Sequence, residues 1–230
     1  MSQPDPAAVI FDFFNTLVEV DRDRPSLATV LTEMGFPCPR LLEEAWSSDA
    51  YDGCETPALS DNPGYMEWRM HNLTGLARHA GVPASAVEQV AQQLEAHDRG
   101  WTVKPCPGAS DLIADLASHH MPYAICSNAD DDLTRHLKQS GLSGFTTVVS
   151  SAAVGARKPH MRPFVEVTSS IGLYPEDCLY VGNAWATDIC GALRAGYRPV
   201  WITRERTEFL PGLVLQFRQL RDFHHWLYPR

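Results

Sequence analysis

The chain has 230 residues, 44% of them hydrophobic, and a net charge of −9. That is enough apolar material for one sizeable core and a smaller accessory module. The acidic balance argues against non-specific nucleic-acid binding, which needs a basic surface, and no apolar run approaches the ~20 residues of a membrane-spanning helix.

The first element is AVIF near residue 8, an uninterrupted apolar run that reads as a buried strand. From about residue 18 to 105 no strand is evident. PSLATVLTEMG, PRLLEEAWSSDAY, NPGYMEWRMHNLTGLARHAG and SAVEQVAQQLEAHDRG all read as helices. Strand-like runs then resume as YAIC, TVVSS, CLYVG and PVWIT, near residues 123, 147, 178 and 199. Between them lie DDDLTRHLKQSG, PFVEVTSSIG and ATDICGALRAG, each with a helical pattern closed by glycine. Strand and helix in alternation predict a doubly wound α/β parallel sheet covered on both faces. The expected division is a core of residues 1–17 and 106–230 and a helical module of 18–105. Hinges are expected in the polar, proline-bearing stretches 21–25 and 102–108.

The six cysteines show no CxxC pair and no zinc-like spacing with histidine. Cys126 and Cys178 fall inside apolar runs and read as small buried hydrophobes. With no basic, apolar leader in MSQPDPAA, the expectation is a reduced, cytoplasmic protein.

Ligands of open α/β sheets bind beyond the carboxyl ends of the strands. Those ends carry Asp12 and Thr16, then Ser127 and Asn128, then the loop Arg157-Lys158-Pro159, then Asn183 and Asp188. Each has an ordinary reading: a turn residue, a helix start, a first-turn acid. Their convergence from four segments is the stronger signal.

The motifs FDFFNTL, YAICSN, RKP and YVGNAWATDICGALRAG stand in that order over nearly the whole chain. Together they resemble the four motifs of the haloacid dehalogenase superfamily. The resemblance implies a Rossmann-like core with an α-helical cap after the first motif, and hydrolysis of a small-molecule substrate. It implies Asp12 as the nucleophile, forming a covalent aspartyl intermediate. It implies Thr16, Ser127 and Lys158 as catalytic partners, with Lys158 neutralising charge. Asn128, Asn15 and Phe14 would line the substrate site. Magnesium would be held by Asp12, the Phe14 main-chain carbonyl, Asp188 and Asn183.

Two positions depart from the phosphatase pattern. Phe14 stands where phosphatases of the superfamily carry an acid/base aspartate, and Asn183 where they carry the first aspartate of the fourth motif. Both substitutions resemble the dehalogenase branch, which uses no metal. The five-residue step from Asn183 to Asp188 is phosphatase-like. A magnesium-dependent phosphatase of a small metabolite is therefore the first expectation. A carbon–halogen hydrolase is the second, and a catalytically impaired binding protein the third. Trp46, Tyr51, Trp68 and Arg69 are expected to pack the cap helices or line the pocket. Asp130, Asp131 and Asp132 read as helix-start acids, and His119, His120, His224 and His225 as surface residues. The oligomeric state is left open.

Overall fold

The computed structural model describes residues 5–20, 27–37, 52–60, 62–98, 102–130, 133–205 and 210–229. Its centre is a six-stranded parallel sheet, formed by β1 (Ala8–Phe11), β4 (Tyr123–Ser127), β5 (Val148–Ser150), β6 (Cys178–Gly182), β7 (Arg198–Ile202) and β8 (Leu215–Phe217). The order across the sheet is β5-β4-β1-β6-β7-β8. The five strands expected from sequence are β1 and β4–β7; β8 is an addition at the edge.

Side chains alternate between the two faces of a strand, and in β1 both faces are buried. Val9 and Phe11 join one cluster with Leu112, Ile113 and Leu116 of α4 (Ala109–Ser118) and Phe223 of α9 (Leu220–Leu227). Ala8 and Ile10 join the opposite cluster with Phe164 and Val167 of α7 (Met161–Ile171) and Ala192 of α8 (Cys190–Ala195). A strand covered on both sides has no polar position to offer, which is why AVIF reads as continuous rather than alternating. β1 lies between β4 and β6, so the chain winds outward from it in both directions. Asp12 follows β1 directly, at the point where the strand order reverses. α5 (Thr134–Ser140) and α6 (Ser151–Val154) complete the connections.

The segment between β1 and α4 contains α1 (Leu27–Glu33), α2 (Asn62–His79) and α3 (Val87–Asp98). These helices share an apolar cluster of their own, which includes Leu31, Leu73, Leu76, Val90 and Leu94. The reading of 18–105 as strand-free needs correction at its borders. β2 (Val18–Val20) and β3 (Val103–Pro105) pair antiparallel, with Glu19 opposite Lys104. Two short polar arms, side by side at the neck of the insertion, satisfy each other's backbone groups. The second expected hinge is therefore partly a strand. The first, at 21–25, the helix over 39–51, and Cys38, Trp46, Tyr51, Asp131 and Asp132 lie outside the described residues.

Gly191 marks where α8 meets α7. A Cβ there would fall 2.5 Å from Phe164 Cζ. Phe164 is fully buried and has no open side to move toward. Gly191→Ala should therefore destabilise the protein by about 1–3 kcal/mol through overpacking. The check is the midpoint of urea unfolding, and an unchanged midpoint would show that the ring relocates freely.

Candidate active site

The turn after β1 explains the two adjacent phenylalanines. The main-chain oxygen of Phe13 accepts from the Leu17 and Val18 amides, at 2.9 and 3.0 Å. The turn folds back so that Phe13 and Leu17 are both fully buried. Phe14 packs edge-on against the rings of Phe13 and His136, with centroids 5.1 and 5.5 Å away. Asn15 is exposed and takes the left-handed conformation at φ 60°, which asparagine tolerates better than most residues. It serves the shape of the turn and leaves its side chain exposed.

Asp12 ends up beside three other segments. Its Oδ1 accepts hydrogen bonds from Ser127 Oγ and Lys158 Nζ, both at 2.9 Å. Its Oδ2 accepts from Thr16 Oγ1 at 3.0 Å. The Thr16 hydroxyl also lies 3.1 Å from Asn183 Oδ1, so its one proton serves two acceptors. Lys158 has three donors and three partners. Besides Asp12 these are Asp188 Oδ1 at 2.6 Å and the Tyr180 hydroxyl at 2.9 Å. Tyr180 donates in turn to the Cys126 main-chain oxygen at 2.8 Å. All of these side chains except Asn183 are buried.

Asp188 reaches Lys158 because of an irregular turn. Residues Trp185–Ile189 form a π-helical turn, a wide loop frequent at functional sites. It carries Asp188 back under the end of β6. There its Oδ2 accepts from the amides of Asn183 and Ala184, at 3.1 and 3.0 Å. The approach to β6 is close: a Cβ on Gly182 would lie 2.5 Å from Asp188 Cβ. The Asn183 carbonyl is fixed by Trp201 Nε1 at 2.9 Å. Both Asp188 oxygens thus have protein donors, Lys158 on one and two main-chain amides on the other.

Asn128 differs from its sequence-based role. Its Oδ1 accepts from the Lys158 amide at 2.7 Å. Its Nδ2 donates to the Lys158 carbonyl at 3.0 Å and to Asp52 Oδ1 at 2.8 Å. The side chain grips the lysine loop rather than standing open to a substrate.

Asp130 is likewise not a helix-start acid, since α5 begins at Thr134. It pairs with Arg157 at 2.9 Å and with Arg69 at 3.0 Å, and Arg69 also pairs with Glu95. Tyr65 donates to the Asp130 carbonyl at 2.9 Å. His224 also departs from its surface reading: it is buried, 2.7 Å from Asp115. Tyr180 was missed from sequence. The available signal was a hydroxyl in an otherwise apolar strand, because a buried phenol needs a partner.

Charge governs the cluster. Burial alone would lower the Lys158 pKa, but Asp12 and Asp188 outweigh it and hold the amine above the ordinary lysine range. Burial pushes the Asp188 carboxyl up to about 6, against the pull of Lys158. A carboxyl raised in this way keeps its proton longer in the folded state. Its contribution to stability is full below the ordinary value of about 4 and is lost as pH rises through about 6. Carboxyl-carbon NMR should therefore show an aspartate titrating near pH 6, absent in Asp188→Asn. A spectrum in which every aspartate titrates near 4 would contradict this electrostatic picture.

A family model described as haloacid dehalogenase-like hydrolase matches residues 6–196. The phosphoserine phosphatase of Thermus thermophilus is 28% identical over 165 residues, or 71% of this chain and 64% of that protein. The chain thus spans less than two thirds of that relative. The phosphoglycolate phosphatase of Rhodospirillum rubrum is 26% identical over 96% of this chain and 91% of its own length. Among solved structures, the L-2-haloacid dehalogenase of Xanthobacter autotrophicus superposes with a TM-score of 0.58 at 24% identity, covering 88% of this chain and 79% of that one. A likeness at that identity shows the shared fold. The chain belongs to the haloacid dehalogenase-like hydrolases.

Proposed function

We propose that the protein is a phosphatase of small phosphate monoesters in which Asp12 is the nucleophile. The observation that carries this reading is the Asp12 carboxylate held by Lys158, Ser127 and Thr16 at the carboxyl edge of the sheet. The phosphatase names of the relatives support it.

The chemistry follows from the hydrogen bonds. Asp12 attacks phosphorus, the ester P–O bond breaks, the alkoxide leaves and takes its proton from water, and the phosphoryl group is carried as an acyl phosphate. Both donors on Asp12 Oδ1 can pass to the incoming phosphoryl oxygens, so positive charge and hydroxyl are already where negative charge develops. Water then attacks phosphorus and releases inorganic phosphate, regenerating the carboxylate.

Asp12, Asp188 and Lys158 together carry one net negative charge. A monoester brings about two more near neutral pH. Uncompensated, that sum repels the substrate. The hard oxygen donors present fit magnesium: Asp12, Asp188, the Asn183 amide oxygen and the Phe14 main-chain carbonyl would hold it. When bound, magnesium supplies the missing positive charge. Asn183 provides no charge of its own, so affinity for the cation is reduced. Among the described residues no group of three or more His, Cys, Asp or Glu side chains is arranged around a metal position.

The helical insertion of residues 18–105 serves in this reading as a cap over Asp12. The excess of acidic over basic residues supports a small-molecule substrate rather than nucleic acid. The described cysteines are free thiols, which supports a reduced, cytoplasmic setting. No helix among the described residues is long and apolar enough to cross a membrane.

A second reading, hydrolysis of a carbon–halogen bond without metal, is favoured by Phe14 and by the commitment of Asp188 to Lys158. An apolar side chain two residues after Asp12 suits a substrate carbon whose halide leaves unprotonated.

Asp12→Asn should abolish turnover under both readings while leaving the fold intact. Retention of most activity in a folded variant, in a screen of phosphate esters and 2-haloacids with and without magnesium, would contradict it. Phe14→Asp separates the two readings. A phosphatase lacking its acid/base forgoes roughly 10²–10⁴-fold in rate. The variant should then gain activity on esters with poor leaving groups, and gain less on p-nitrophenyl phosphate. In a dehalogenase the same change buries a charge in an apolar wall and lowers activity on haloacids. A folded variant with no gain on any ester would count against the phosphatase reading.

A further inference from the structure

We propose that Asp52 is a positioning residue for Lys158, acting through the Asn128 side chain across the seam between the insertion and the sheet. This rests on the reading of Lys158 as the cation that serves Asp12.

The seam is built along the lysine loop. Residues 53–59 run beside residues 152–158 and bond to them through the main chain. The Gly53 amide donates to the Lys158 carbonyl at 3.1 Å, and the Arg157 amide donates to the Cys54 carbonyl at 3.0 Å. The Thr56 amide donates to Gly155 at 2.9 Å, and the Leu59 amide to Ala152 at 2.6 Å. The approach is close at Gly155, where a Cβ would meet the Thr56 carbonyl oxygen at 2.8 Å. Lys158 is thus held on both sides of its backbone. Asn128 takes its N–H and its C=O, and the insertion takes the same C=O through Gly53.

Asp52 closes this arrangement. An asparagine amide can rotate by a half turn and exchange its oxygen and nitrogen. Gripping the Lys158 backbone requires Oδ1 toward the amide and Nδ2 toward the carbonyl. The second Nδ2 proton goes to Asp52 Oδ1 at 2.8 Å, an acceptor that an inverted amide would meet oxygen to oxygen. Asp52 therefore fixes the orientation of Asn128, and Asn128 fixes the loop that aims Lys158 at Asp12. Arg157 Nε, 3.6 Å from the same Asp52 oxygen, keeps that carboxylate at the seam. Docking of the insertion and placement of the catalytic ammonium become one event.

The test uses the full-length protein, nitrogen-edited NMR of the Lys158 ammonium, and steady-state kinetics on a phosphate ester turned over by the wild type. Three internal hydrogen bonds protect the ammonium protons from exchange with water. Asp52→Ala and Asn128→Ala should each speed that exchange by about tenfold. Each should lower kcat by about tenfold with KM within about twofold, as displacement of a catalytic group does. Asp52→Asn keeps an oxygen acceptor for Nδ2 and should behave as wild type in both measurements. Unaltered exchange in a folded Asp52→Ala protein overturns the proposal. So does an Asp52→Asn protein as impaired as Asp52→Ala, because the charge beside Arg157 would then be the operative feature. If Asp52→Ala does not fold, Asn128→Ala and Asp52→Asn carry the same comparison from the two sides of the bond. Absence of turnover on every ester would count against the phosphatase reading, while the exchange rates would still decide this one.

Discussion

A buried ammonium between two buried carboxylates is the constraint on which the site depends. Lys158 is almost wholly removed from water, and an unpaired charge there would cost several kcal/mol. It is tolerated because each of its three protons has an acceptor, two of them anionic. The same pairing fixes the direction from which the Asp12 carboxylate is approached by positive charge. Removing either carboxylate would leave the rest of the triad unbalanced.

The fold supplies those partners from places that only a parallel sheet brings together. Asp12, Ser127 and Asn183 each lie at or just past the carboxyl end of one of three neighbouring strands, β4, β1 and β6. Regular structure would stop there. The π-helical turn after β6 and the glycine at position 182 let Asp188 fold back beneath the strand end and meet Lys158 from below. Tyr180 fills the remaining direction from inside the sheet. The third proton of the lysine is thus satisfied by a residue that otherwise reads as core.

The sheet was legible in the sequence because buried parallel strands leave uninterrupted apolar runs, and AVIF, YAIC and CLYVG are such runs. Thr16, Ser127, Lys158, Asn183 and Asp188, gathered around Asp12, were legible because strand ends are where a doubly wound sheet presents polar groups. Three kinds of feature were not. β2 and β3 are three residues each, half-polar, and join only because the chain ends of the insertion meet. The true employment of Asn128 depends on a contact with Asp52, 76 residues away, which no local pattern encodes. Asp130 and His224 look exposed by composition, and are engaged only because Arg69, Arg157 and Asp115 come to them through the tertiary fold.

In the proposed reading, Phe14 and Asn183 weaken features that most phosphatases of the superfamily possess, while Asp12, Ser127 and Lys158 keep the arrangement a nucleophile site needs. These facts agree if covalent capture is preserved and the later acid/base steps are slow, so the covalent adduct should persist long enough to be caught. The most direct test is borohydride trapping during turnover of a phosphate ester, followed by mass spectrometry of the peptide containing residue 12. An acyl phosphate at Asp12 is reduced to homoserine, and the account predicts homoserine at that position only when ester is present. An ester turned over steadily with residue 12 recovered unmodified would contradict it.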